Sequence, residues 1–172
     1  PYQIKTFAHL DNVRKKLVKD AETMVYFKMV DDIDMSGKDW TMYNISVNNA
    51  YKYNFDGNDH TISNFTYTGT SGASFFGAIT GGSKVHDLKF YKVVLSDEEG
   101  GSNSVGTVSY NIINGEIDNV DITDATITVV GRCYGANVIA AYVATNKEHA
   151  AAHVDDISYY APSIDGIDFM TA

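Results

Sequence analysis

Ile62-Ser63-Asn64-Phe65-Thr66-Tyr67 holds the reading of this chain. The phrase is apolar, any residue, Asn or Asp, apolar, any residue, apolar. It recurs as Val30-Asp31-Asp32-Ile33-Asp34-Met35, Val85-His86-Asp87-Leu88-Lys89-Phe90, Ile117-Asp118-Asn119-Val120-Asp121-Ile122 and Val154-Asp155-Asp156-Ile157-Ser158-Tyr159. Successive copies start 32, 23, 32 and 37 residues apart. Self-similarity at such a period marks a solenoid. A shorter phrase, an aromatic residue or Val followed by Gly, recurs at Phe76-Gly77, Val105-Gly106 and Tyr134-Gly135, with its glycines 29 residues apart.

The phrase has a physical content. In a strand, its fourth and sixth residues face the same side, so both apolar side chains enter one core. Its first residue lies an odd number of positions away, and a bend at position three is needed to turn it inward. Asn and Asp suit that bend because they tolerate left-handed dihedrals and bond nearby backbone. Stacked coils would place Asp32, Asn64, Asp87, Asn119 and Asp156 in one corner ladder. The unequal spacings place insertions at other corners, among them Asp97-Glu98-Glu99-Gly100-Gly101 and Asn146-Lys147-Glu148-His149.

Before the repeats, residues 4–19 read as an amphipathic helix. Ile4, Phe7, Leu10, Val13 and Leu17 share one face, and Arg14, Lys15, Lys16 and Lys19 share the other. Asp11 and Asn12 mark a break within it. An open solenoid end needs a cover, so this helix is expected to cap the first coil. The coils are expected over 24–160. Residues 161–172, with Ile164-Asp165-Gly166-Ile167-Asp168-Phe169, form a last strand or a linker.

The composition agrees. The chain has 172 residues, 12 Tyr, 14 Gly, a single cysteine and a formal charge of −9. One domain is expected at this length. The acidic balance disfavours nucleic acid and anionic membrane surfaces as partners, and no apolar run is long enough for a transmembrane helix. The start at Pro1-Tyr2-Gln3 reads as a segment of a longer, multidomain protein. The sequons Asn44-Ile45-Ser46 and Asn64-Phe65-Thr66 are read as chance occurrences in an Asn-, Ser- and Thr-rich chain.

Three stretches resemble a known family. Phe55-Asp56-Gly57-Asn58-Asp59-His60-Thr61-Ile62, followed by Asn64-Phe65, is similar to the FDGNGHTI segment of GLUG-type right-handed parallel β-helices in bacterial surface proteins. Asp31-Asp32-Ile33-Asp34-Met35-Ser36 resembles their first coil. Phe75-Phe76-Gly77-Ala78-Ile79 resembles their GLFG phrase. Asp59 stands where the family has a second Gly, and residues 134–153 match poorly. The resemblance covers residues 3–160. It implies an all-β, pectin-lyase-like solenoid, at the bacterial cell surface or secreted, in proteins described as adhesins of Bacteroides-like organisms.

Chemistry is sparse in the sequence. Polysaccharide lyases on this fold need clustered carboxylates with a Lys or Arg base, and hydrolases need paired carboxylates. Only Arg14 and Arg132 are present, and Asp31-Asp32 and Asp155-Asp156 are parts of the repeat. His149 and His153 lack a His-Glu-x-x-His frame, and His60 and His86 read as turn histidines. No nucleophile elbow or phosphate loop occurs, and Cys133 beside Arg132 has no evident His partner. Asp56, Asn58 and Asp59 alternate like a Ca²⁺ loop but lack the closing Glu, so at most a weak Ca²⁺ site is expected and no cofactor.

Tyr43, Tyr51, Tyr53, Tyr91 and Tyr110 lie outside the core positions of the phrase and are the candidate binding residues. The expected function is adhesion, through a host or bacterial surface glycan or protein, without catalysis. The alternatives are an accessory or degenerate polysaccharide-active domain and a plain spacer.

Overall fold

The computed structural model describes residues 1–69, 72–97 and 104–129. The fifth copy of the phrase, with Asp156, lies outside them, as do Cys133, Arg132, His149, His153 and both expected corner loops beyond Asp97. The described chain is a parallel β-solenoid of about three turns, with one short helix near its N-terminus.

The strands are β1 Tyr2–Ile4, β2 Val25–Met29, β3 Ile33–Asp34, β4 Tyr53–Asp56, β5 Thr61–Ser63, β6 Thr66–Gly69, β7 Ala78–Thr80, β8 Lys84–Asp97, β9 Asn111–Ile113 and β10 Glu116–Val129. Every pairing is parallel. On the first face β1, β2, β4, β8 and β10 stack in that order. On the second, β3 and β5 stack under the middle of β8. On the third, β6 lies beside the end of β8. A separate ladder pairs β7 with β9.

β8 and β10 run across all three of these faces because each turns twice. Asp87 and Lys92 in β8 take positive φ of 51° and 54°, and Asn119 and Asp124 in β10 take 48° and 57°. A left-handed residue every fifth position folds one long strand around two corners.

Inward residues form columns across the coils. Phe27, Phe55, Val85 and Ile117 align on the first face, and Ile33, Ile62, Phe90 and Ile122 on the second. Phe27, Phe55, Val85, Ile62 and Phe90 are fully buried. An aromatic cluster fills the centre, with Trp40 stacked on Phe75 at 4.4 Å between centroids and Phe76 edge-on to Phe55 at 5.1 Å. Each such side chain contributes about 1.5–3 kcal/mol by leaving water. Gly77, from the shorter phrase, is needed where the chain passes close to a neighbouring coil. Its φ is +82°, and a Cβ there would lie 2.0 Å from the Asn44 carbonyl oxygen.

The expected helix over 4–19 is shorter. α1 spans Phe7–Asn12, and a single 3₁₀ turn follows over Val13–Lys16. The change falls at Asn12, where the sequence placed a break. Thr6 caps α1 through its side chain to the His9 amide. Tyr2–Ile4 is strand instead, because the edge of β2 offers it a parallel ladder from Tyr2↔Phe27 to Ile4↔Met29. Leu10 and Val13 are buried against the solenoid, and the Tyr43 hydroxyl donates to the Leu10 carbonyl at 2.8 Å. Arg14 lies 5.8 Å from the Trp40 ring centre and donates to the Thr41 carbonyl at 2.7 Å. Leu10 and Val13 of the helical segment thus cover core, with Phe7 and Leu17 partly buried against it.

Candidate functional site

Function on a solenoid must be carried by the outward rows, since the inward rows are consumed by the core. On the first face one outward row runs Lys28, Asp56, His86, Asp118, and the next runs Tyr26, Asn54, Lys84, Glu116. On the second face the rows are Thr61, Lys89, Asp121 and Asp34, Ser63, Tyr91, Thr123.

Charges in these rows pair between coils. Lys28 Nζ is 2.6 Å from Asp56 Oδ2, and Lys84 Nζ is 2.8 Å from Glu116 and 3.2 Å from Asp118. The hydrogen bonds that Lys84 donates to Glu116 and then to Asp118 raise its pKa. Asp32 Oδ1 accepts from the Thr61 amide and lies 2.9 Å from His60 Nδ1; the Thr61 bond first, then His60, lowers its pKa. Asp34 Oδ1 accepts from Asn64 Nδ2 at 2.9 Å and from both the amide and hydroxyl of Ser36, which hold its pKa at about 2. Asp87 is lowered by Asn119 and then by His86.

The predicted corner ladder is only partly formed. Asn119 Nδ2 donates to Asp87 Oδ1 at 2.6 Å, and these two stand at equivalent corners. Asn64 does not join them. Its amide donates to the Tyr91 carbonyl, which sets Asn64 beside Lys92 at the second corner. Asp32 is at the first corner but has no left-handed backbone; its own amide is bonded by Asp31. The copies of the phrase are therefore out of phase between coils, because the phrase turns the second corner at Asn64 and the first corner, five residues earlier, at Asp87 and Asn119. The bend at position three is present at Asn64, Asp87 and Asn119, all with positive φ.

The predicted tyrosines separate into two groups. Tyr43 and Tyr53 are core residues and drop out as ligand contacts. Burial drives both hydroxyl pKa values up. Tyr43 is satisfied by Leu10, whereas the buried Tyr53 hydroxyl has no partner among the described residues, a situation that costs about 1–3 kcal/mol. Tyr51 and Tyr110 are half-buried. Tyr91 is 42% exposed and projects from β8. Around it a shallow groove of about 290 Å³ is lined by Thr61, Lys89, Asp121 and Thr123. A second depression of about 500 Å³ at the β1 edge carries Tyr2, Tyr26 and Lys16. The ammonium of Lys16 lies 5.2 Å from the Tyr2 ring centre. Tyr26 and Tyr2 escaped the sequence reading. Tyr26 alternates with buried Phe27 in a strand, and that period alone marks it as outward.

The expected Ca²⁺ loop is also rearranged. Asn58 turns to the Met29 carbonyl and Asp59 towards Lys89, while Asp56 meets His86 and Asp87. The sequon residue Asn44 is buried and bonds Asn49, Thr80 and Ser46, so it serves the scaffold.

These features define a parallel β-solenoid domain with charge-paired outward rows and exposed tyrosines. No family model matches the chain, and no curated protein does. Among solved structures it is similar to the crystal structure of a putative immunoglobulin A1 protease from Bacteroides ovatus, with a TM-score of 0.60 and 24% identity. The likeness covers 77% of this chain and 45% of that one, so the chain spans less than half the length of its structural neighbour. At that identity the likeness shows the fold.

Proposed function

We propose that this solenoid is a non-catalytic binding domain of a bacterial surface or secreted protein, of the GLUG-like adhesin type, and that it takes a glycan or protein partner on its outward tyrosine face. The observation that carries this is the Tyr91 groove. An exposed aromatic ring is flanked by two threonine hydroxyls, one ammonium and one carboxylate on a rigid sheet. Rings stack on the apolar faces of sugars and anchor protein partners, and the hydroxyls and charges fix orientation.

The disposition of the acids supports the absence of catalysis. Asp32, Asp34, Asp56 and Asp87 each hold a hydrogen bond or ion pair within the scaffold. His9, His60 and His86 bond the Lys5 amide, Asp32, and Asp87 with Asn54, rather than a Ser or Thr hydroxyl. The neighbour's name offers a second reading, in which the solenoid accompanies a peptidase and contacts its protein substrate. Both readings use the same surface.

The test is a glycan and protein array probed with the 172-residue chain and with Tyr91→Ala. A reproducible hit weakened fivefold or more by the substitution is the expected result. Binding unchanged by Tyr91→Ala would remove this face from the function. Breakdown of an acidic polysaccharide, lost on changing outward carboxylates, would replace the reading with an enzymatic one.

A further inference from the structure

A cluster on the first face lies apart from the tyrosine groove. Asp56 of β4 and His86 and Asp87 of β8 each bring a ligand atom within 4.8 Å of the other two, and all three residues are half-buried. Asp56 and His86 are register partners on adjacent coils, and Asp87 is the left-handed corner that follows. The sheet and the corner therefore fix all three backbone positions. One imidazole with two carboxylates is a mixed N/O donor set suited to zinc and similar divalent ions.

The surroundings of His86 point the same way. Its Nε2 lies 3.0 Å from Asn54 Oδ1, and its Nδ1 lies 2.7 Å from Asp87 Oδ2. Both partners are acceptors, while a neutral imidazole carries one N–H. With that hydrogen given to Asn54, Nδ1 turns a lone pair towards the Asp87 carboxylate, an arrangement that a cation shared by the two would satisfy once their side chains rotate apart. The outer contacts suit a ligand set. Asn119 donates to Asp87 Oδ1 at 2.6 Å, and the Asn58 amide donates to Asp56 Oδ1 at 2.7 Å, so both carboxylates are oriented from behind. The competing cation is Lys28, 2.6 Å from Asp56 Oδ2, on a side chain exposed enough to turn to solvent.

We propose that Asp56, His86 and Asp87 form a divalent transition-metal site, with zinc as the favoured ion, which clasps two coils together. Small side-chain rotations bring the three ligand atoms to bonds of about 2.0–2.2 Å, and water completes the tetrahedron. The imidazole favours zinc over Ca²⁺, whose sites are built from oxygen. This inference stands independently of the tyrosine groove.

The experiment uses the full chain freed of metal by a chelator. Zn²⁺ is titrated by calorimetry, Co²⁺ by visible absorption, and the thermal midpoint is followed with and without Zn²⁺. Wild type is expected to take up one Zn²⁺ at this site, give tetrahedral Co²⁺ bands and melt at a higher temperature when loaded. Asp56→Asn and His86→Gln, each checked for fold by circular dichroism, should weaken that uptake tenfold or more and lose the rise in midpoint. Lys28→Met should tighten it. No uptake by wild type, or uptake unchanged in folded Asp56→Asn and His86→Gln, would overturn the proposal.

Discussion

β8 on β10 and β4–β6 on β8 are two coil interfaces built from the same chemistry in different ways. Between β8 and β10 every pair keeps one offset, from Lys84↔Glu116 to Asp97↔Val129. Between the second coil and β8 the offset slips at the first corner, from Asp56↔His86 to Thr61↔Lys89. Two extra residues are absorbed there. In the uniform interface a single residue turns each corner, Asp87 over Asn119 and Lys92 over Asp124. The slipped corner uses Gly57, then Asn58 and Asp59 with φ of 51° and 61°. A constant coil length lets one side chain bond its equivalent above. A variable length gives up that bond and relies on close backbone packing.

The largest test of this contrast is Gly57→Ala. A Cβ there would lie 2.5 Å from the Asp87 carbonyl oxygen and 2.6 Å from the Leu88 Cα, and neither backbone atom can turn aside. The expected cost is about 3 kcal/mol, as for overpacking of a tight interior, read by urea unfolding. Gly37→Ala is the control. Its φ is +64°, but nothing lies within 4 Å, so only the left-handed strain of about 1 kcal/mol applies. Equal losses in the two variants would mean that the slipped corner is loosely packed and that the contrast does not exist.

Asn119→Ala probes the uniform interface and should cost less. The backbone alone, at φ 48°, penalises Ala by about 1 kcal/mol, and the bond to Asp87 is lost as well. Asn119→Gly keeps the backbone and loses only the bond. If the Gly variant is as unstable as the Ala variant, the side-chain ladder dominates that corner. If Gly restores stability, the bend was the main requirement.

That distinction explains what was legible in the sequence. Asn64, Asp87 and Asn119 were readable as bends because a left-handed residue between apolar positions has few chemical solutions. Their stacking was readable only in part: Asp87 and Asn119 do stack, but each long strand has two left-handed corners five residues apart, and the apolar pattern around Asn64 does not tell the second corner from the first. The same limit applies to the tyrosines. Tyr43 sits in an irregular stretch, where no period tells inward from outward. Tyr53 alternates with Phe55 in β4 and could have been placed in the core from that spacing. The helix was legible from Phe7, Leu10 and Val13, whereas Ile4 reaches the same core from a strand that exists only because β2 has a free edge. The meeting of Asp56 with His86 spans 30 positions, and only the coil offset reveals it.

Acid titration gives the smallest expected effect and separates the interfaces differently. Asp34 ties the first coil to the second through Asn64, and three donors on one oxygen hold its pKa at about 2, below its usual 3.8. Because the folded value is the depressed one, this contribution is complete above about 3.8 and fades as pH falls towards 2. Asp34→Asn should therefore flatten the fall in stability across that window while leaving the slope above pH 5 unchanged. Asp87 is lowered by Asn119 in the same sense, so Asn119→Gly should raise the pH at which Asp87 takes its proton. Carboxylate titrations followed by nuclear magnetic resonance would check both. If Asp34 titrates near 3.8 in the folded chain, the Asn64 bond is not held in solution. The second coil would then be joined to the first at its second corner by backbone and core contacts, with the side-chain links left to Lys28–Asp56, His60–Asp32 and Asn58 at the Met29 carbonyl.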